Sequence, residues 1–545
     1  MASKTAEPTG LRPGRRLRLA VVAVAAAFVA PLGYLVARNL GDPGALVAAV
    51  TDPGTLGPLW RSVWLALTVS ASTAVLGTWL AWLVQRTDLP GRRVLRVLLP
   101  LPLVVPSFIA AFALIAAFAP GGLLAGPLAA IGVQPPQVRG FWGAFAVLTL
   151  FTYPYVYLPV AARLGQLPAS LEESARLLGR GPAATFALVV LPQAASAVAA
   201  GALLVGLYTL SDFGAVQLLR YDTLTRAIYS ARVLDPAGSL ALALILGVLA
   251  VVVAAAERLV GPGWRGRGRR RDWARTATPG RALTVPLRAW KGPALLAVGL
   301  VLWLSLLAPL GVLGWWALRG LLSGSSRAGS VVADPAGLLG PAVGTAWVSV
   351  AAALVAVVAV LPVAWLTVRW RTWLGEATGA LVVGGFALPG LVLALALAFW
   401  ARRSPELVYQ AVYQTPGLLV FAYVIHFGAQ ALRSAQVAVG SVPRQVEDAA
   451  RVLGASGPRR LLTVELPLAL PGLAAGAGLV MLSSAKELPA TLLLAPPGFQ
   501  TLATKVWTAS EDAFLADASL GALALVAVSA ALTWLLVVRR GEGLA

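Results

Sequence analysis

Apolar runs long enough to cross a bilayer recur along this chain and leave it few folds to choose from. A helix needs about 20 residues to span the hydrocarbon core. Twelve segments meet or approach that length: 17–37, 60–85, 94–119, 140–162, 193–217, 237–257, 292–318, 342–368, 377–400, 416–438, 468–494 and 514–538. In lipid the backbone N–H and C=O groups must be satisfied by the segment itself or by a closed barrel. Runs this long are read as helices, so the chain is expected to be an all-α integral membrane protein. Only 12% of its 545 residues are charged, about half the share of a soluble domain. The basic start (Lys4, Arg12, Arg15, Arg16, Arg18) ahead of the run at Leu19 imitates a secretion signal. Its apolar core is longer than a cleavable one and eleven more spans follow, so an uncleaved first helix is expected.

A net charge of +21 invites a nucleic-acid partner, but the placement of the charges argues otherwise. With a cytoplasmic N-terminus, the inner loops are 1–16, 86–93, 163–192, 258–291, 369–376, 433–467 and 539–545. Roughly three-quarters of the 43 Lys and Arg lie in or beside them, while the 22 acidic residues divide evenly between the two sides. Retention of basic loops in the cytoplasm accounts for almost the whole net charge, and the partner it implies is the lipid bilayer, not nucleic acid. The Arg-rich run from Arg265 to Arg275 lacks apolar periodicity and reads as part of a cytoplasmic linker, 258–291, held near anionic headgroups. Cysteine is absent and His426 is the one histidine, which excludes thiol chemistry and histidine metal clusters. His426, with Tyr423 and Gln430 on the same helical face, reads as a neutral packing residue.

Two loops repeat in register. In the first, Ser170 followed by Glu173 reads as a capping box, with Glu172 also in the first turn. Ala175, Leu177 and Leu178 form an apolar stripe, and Gly179 with Gly181-Pro182 ends the helix. Leu191-Pro192 then starts the next apolar run. In the second loop Asp448-Ala449-Ala450 stands for Glu173-Ser174-Ala175, Gly454 for Gly179, and Leu466-Pro467 for Leu191-Pro192, each 275 residues on. Glu447 stands for Glu172 in the same register. Trp82, Arg86 and Pro106 find matches in Trp365, Arg369 and Pro389 at an offset of 283, and Asp212 is matched by Glu487 at 275. The chain therefore reads as two parallel six-helix repeats, 1–257 with its loop 163–192 and 292–545 with its loop 433–467, joined by the linker. Pro100, Pro102 and Pro106, and Pro389-Gly390, would break lipid-exposed helices, so the third and ninth spans are expected to face protein.

A glutamate or aspartate with two small residues, then a glycine, then Leu-Pro at this spacing resembles the EAA loop of ABC importer permeases. Two such loops in one chain are similar to the fused permeases of the ferric-iron and thiamine type. The resemblance covers nearly the whole chain. It implies that each loop carries a coupling helix for a cytoplasmic ATPase, with Glu172, Glu173, Ser174, Ala175, Gly179, Leu191, Pro192, Glu447, Asp448, Ala449, Ala450, Gly454, Leu466 and Pro467 as coupling residues. It further implies two ATPase copies, which bind ATP and Mg, an extracytoplasmic binding protein, and a bacterial inner-membrane location with both termini cytoplasmic. No cofactor and no catalysis are expected of this chain. None of its lysines (Lys4, Lys291, Lys486, Lys505) follows a glycine, so a Walker A loop is absent. The stretches Leu210–Arg232 and Ala485–Trp507 resemble those of ferric-iron permeases, which makes Asp212, Tyr221, Asp222, Lys486 and Glu487 candidates for the pathway or outer gate. Their oxygen donors suit a hard cation. The same resemblance leaves thiamine, polyamine or phosphonate open as cargo. An ion-driven transporter would need ionisable groups at mid-membrane depth, and the spans carry few.

Overall fold

The computed structural model describes residues 14–260, 284–323, 331–332 and 334–535. The run Arg265–Arg275, most of the linker, and the termini before Gly14 and after Leu535 lie outside the described residues. Ten helices are long and apolar enough to cross a membrane, and two further pairs qualify as bent spans, giving up to twelve. Among the described residues the single β feature is an isolated bridge between Thr87 and Val285.

The two bends fall at the prolines. Arg92–Val104 meets Ser107–Phe118 at 90°, and Trp373–Gly385 meets Gly390–Arg403 at 101°. Pro106 and Pro389 stand directly before the second arms, outside the helix, where a missing N–H removes no helix bond. Both second arms are enclosed by protein: Ser107–Ala113 and Gly390–Leu397 are buried. Spans five and eleven are shorter than the sequence suggested. They stop at Ser211 and Ala485, and a turn precedes short helices at Gly214–Leu218 and Pro489–Leu494. The apolar run continues past each turn, which is why hydropathy alone merges the two pieces.

The compact units do not divide where the sequence repeat does. One contains the described residues of 1–43, 338–505 and 527–545, the other those of 44–337 and 506–526. The first span, Arg15–Leu40, packs within the first of these, against Trp373–Gly385, Gly390–Arg403 and Leu339–Trp365. Its Val21 and Phe28 belong to the same apolar core as Val382, Tyr423 and Phe427. In the other unit, Ala308–Ser323 lies along Ser107–Phe118. There Trp316 Nε1 donates to Ala116 O at 2.9 Å, and Trp315 Nε1 and Arg319 donate to Gly121 O at 3.1 and 2.5 Å. These donors satisfy carbonyls freed where the bent span ends. The boundaries 1–257 and 292–545 thus describe the repeat in sequence, while in packing each half gives up its leading helix.

Candidate functional site

The two repeated loops fold alike. Their helices are Ala169–Leu177 and Arg444–Val452, preceded by Pro168 and Pro443 in extended conformation. The capping box read from Ser170 does not form. Pro168 occupies the cap position, no side chain caps the helix, and Ser170 lies within it. A proline's fixed φ suits the start of a helix, so the chain turns before Ser170. The helices end as their glycines require. Gly179 and Gly454 have φ of +80° and +78°. Gly179 N bonds Arg176 O at 2.9 Å and Arg180 N bonds Ala175 O at 3.1 Å; Gly454 N bonds Arg451 O at 2.9 Å and Ala455 N bonds Ala450 O at 3.0 Å. The left-handed residue closes the last turn and satisfies its orphan carbonyls. Each chain then passes through a wide helical turn, Phe186–Val190 or Leu461–Glu465, directly before Leu191-Pro192 or Leu466-Pro467. Such a turn accommodates the donor that the proline lacks.

Each loop helix has an inward and an outward side. Glu173 and Ser174 are exposed, as are Asp448 and Ala449, whereas Ala175 is buried and Ala450 half-buried. The apolar pairs at the helix ends do not pack onto this chain: Leu177 and Leu178 are 88% and 81% exposed, Val452 and Leu453 88% and 86%. The expected stripe is therefore displayed, with Ala175 alone turned inward. Glu172 and Glu447 also turn inward. Arg86, the last residue of the span Pro53–Arg86, lies with Nη1 2.9 Å from Glu172 Oε1, and both side chains are almost wholly buried. Its Nη2 donates to Leu164 O at 2.7 Å and to Leu167 O at 3.3 Å. In the second half Arg369 pairs with Glu447 and donates to Val442 O at 3.0 Å. Burial pushes both carboxyls above the ordinary glutamate value, against the pull of Arg86 and Arg176 on Glu172 and of Arg369, Arg460 and Arg451 on Glu447.

Behind these shared pairs the halves differ. In the second, Trp365 Nε1 donates to Glu465 Oε2 at 3.0 Å and Arg460 Nε donates to Glu465 Oε1 at 2.6 Å. In the first, Trp82 meets Phe186 edge-on with centroids 5.5 Å apart. There the last part of the linker is stitched beside Arg86 instead. Val285 N donates to Arg86 O at 2.8 Å, Leu287 N to Asp88 Oδ1 at 2.8 Å, and Lys291 Nζ lies 2.7 Å from Asp88 Oδ2. The bonds from Leu287 N and Lys291 hold the Asp88 carboxyl below its usual range.

The candidate pathway residues fall into two groups. Asp212 and Glu487 are buried and do one job twice. Asp212 Oδ1 accepts from Ala215 N at 3.0 Å, and the Ser107 hydroxyl donates to its other oxygen. Glu487 accepts from Ala490 N at 3.0 Å and Thr491 N at 3.3 Å. Each carboxylate thus starts a short helix and abuts the first residue of a bent span's second arm, Ser107 or Gly390. At Gly390 a Cβ would lie 2.8 Å from Glu487 Oε1. Tyr221 and Asp222 lie elsewhere, at the surface: Asp222 pairs with Arg61 at 3.4 Å and with Arg226, and the Tyr221 hydroxyl reaches Arg61 O at 3.5 Å. Lys486 is half-buried at the end of span eleven. His426 packs against Phe386 and Phe427, with centroids 6.1 and 4.6 Å away, while Tyr423 bonds Thr491 at 2.5 Å and Gln430 bonds Ser483 at 2.9 Å. Among the described residues no group of three or more His, Asp or Glu could hold a metal ion. At the opposite ends of the spans from the first loop, the unit holding Arg86 has an open cavity of 1320 Å³ lined by Phe118, Arg139, Gln217, Arg220 and Glu511, among others.

Paired loops on two sets of membrane helices define a class, and comparison with known proteins agrees. Residues 73–266 and 357–539 each match the family described as binding-protein-dependent transport system inner membrane component, and the chain belongs to it. It is a multi-pass permease of the binding-protein-dependent kind. Over 525 residues it is 29% identical to the Fe(3+)-transport system permease protein FbpB 2 of Haemophilus influenzae, covering 95% of this chain and 97% of that one. A probable molybdenum ABC transporter permease protein of Haloferax volcanii is 30% identical over 224 residues, 40% of this chain and 80% of its own length. The sulfate transport system permease protein CysT of Escherichia coli is 32% identical over 168 residues, 31% of this chain and 60% of its own.

Proposed function

We propose that this chain forms the membrane pathway of a ferric-iron importer, with two permease halves in one polypeptide. The observation that carries the cargo is similarity along nearly the whole of both chains to a relative named for Fe(3+) transport. In this reading each loop seats one copy of a cytoplasmic ATPase, which binds ATP and Mg and performs the hydrolysis. An extracytoplasmic binding protein delivers iron at the opposite face. Both termini lie in the cytoplasm, in keeping with the basic loops. Leu177-Leu178 and Val452-Leu453, exposed beside Glu173 and Asp448, have the form of helix-in-groove anchors, and their exposure supports docking there. Asp212 and Glu487 act as hinge caps for the bent spans, not as ligands for the ion.

The molybdenum and sulfate permeases make an oxyanion the competing cargo, over a smaller share of the chain. Cells producing this permease with its ATPase and binding protein should take up radiolabelled ferric iron, and lose that uptake when the permease gene is deleted. Uptake of molybdate or sulfate in place of iron would overturn the assignment.

A further inference from the structure

We infer that Arg86 and Arg369 are positioning residues for coupling, each locking a loop helix to the cytoplasmic end of the span that carries the arginine, as one rigid lever. The inference rests on the reading of the loops as ATPase docking sites. The geometry is the same twice: an arginine ends a long span, and a glutamate in the first turn of the loop helix meets it out of water. Each arginine also holds carbonyls where the intervening chain leaves the membrane, Leu164 and Leu167 in one half and Val442 in the other. One planar guanidinium thus ties three elements, which its rigid fork of donors suits and a lysine ammonium does not.

The immediate neighbours carry the division of labour. Glu172 points at Arg86 while Glu173 is exposed; Glu447 points at Arg369 while Asp448 is exposed. A glutamate that merely complemented the helix dipole would do so in water. Burying it against an arginine costs desolvation and is repaid only by close geometry, so the joint resists rotation. A surface pair would be loose and screened by salt.

The chain has no cysteine, so introduced ones report cleanly. Spin labels at Ser170→Cys on the loop helix and Val75→Cys on the second span, both exposed in this structure, measure one against the other in the full transporter. With the native joint, the distance should stay narrow and unchanged when a non-hydrolysable ATP analogue binds. In Arg86→Met/Glu172→Leu, whose apolar pair replaces the ion pair at similar bulk, it should broaden and shift with nucleotide. Arg86→Lys should fall between the two. Stimulation of ATP hydrolysis by the binding protein should drop about tenfold in the double variant. A native distance that shifts with nucleotide as much as the double variant's would overturn the inference. So would loss of assembly in the double variant together with native rigidity in Arg86→Lys and Glu172→Gln. Cross-linking of Leu178→Cys and Leu453→Cys to the ATPase separates the underlying reading: its absence in an otherwise native chain refutes docking at the loops, whatever the joint does.

Discussion

At the residue scale the two halves solve one packing problem with complementary pairs. Ser107 faces Asp212, and Gly390 faces Glu487. The carboxylate in the second half is one methylene longer, and the residue opposite has lost its side chain. Gly390→Ser should therefore crowd a buried carboxylate already held by Ala490 and Thr491, at a cost of about 1–3 kcal/mol. Adding Glu487→Asp rebuilds the first-half pair and should recover most of that loss. Thermal unfolding of both single variants and the double closes the cycle, and additive losses would show the two sites to be independent. This complementarity was half legible in sequence. The match of Asp212 with Glu487 shows at an offset of 275, but Ser107 and Gly390 correspond at 283, and nothing in either register says that the two positions touch. Arg86 and Glu172 were hidden in the same way. Trp82-Arg86 and Trp365-Arg369 stand out as a repeat, yet their partners belong to the other register.

At the scale of elements, local chemistry was the readable part. Pro106 and Pro389 break their spans because the ring forbids helix continuity wherever it stands, and Gly179 and Gly454 end helices because only a residue without Cβ adopts positive φ freely. The same logic misled at Ser170, where a capping pattern lay two residues inside a start already fixed by Pro168. No atom lies within 4 Å of a Cβ built on either loop glycine, so their replacement is limited by backbone conformation alone. Gly179→Val with Gly454→Val should cost about 1–2 kcal/mol per site, distort both loop ends and abolish co-purification of the ATPase. Gly179→Asn with Gly454→Asn, which tolerates the left-handed region, should keep it. Equal co-purification from both chains would dissociate the glycines from docking.

For the whole molecule, the repeat and the packing are different partitions. Val21 and Phe28 lie in the core built by second-half spans, so the fragment 284–545 lacks a helix that its unit requires. Produced alone in membranes it should be cut rapidly by protease, and co-production of residues 1–43 should restore protection; a protected lone fragment would contradict the packing. Sequence could not announce this exchange, because an apolar helix face does not name its neighbour. The exchange also sets a schedule for biogenesis. Arg15–Leu40 is made well before its helical contacts Leu339–Trp365 and Trp373–Arg403, which leave the ribosome about 300 residues later. At translation speeds of ~5–20 residues per second, that helix waits on the order of tens of seconds with only lipid or an insertion chaperone against its faces. A fused chain guarantees that the awaited partner arrives in the same place, which two separately made halves would have to find by diffusion.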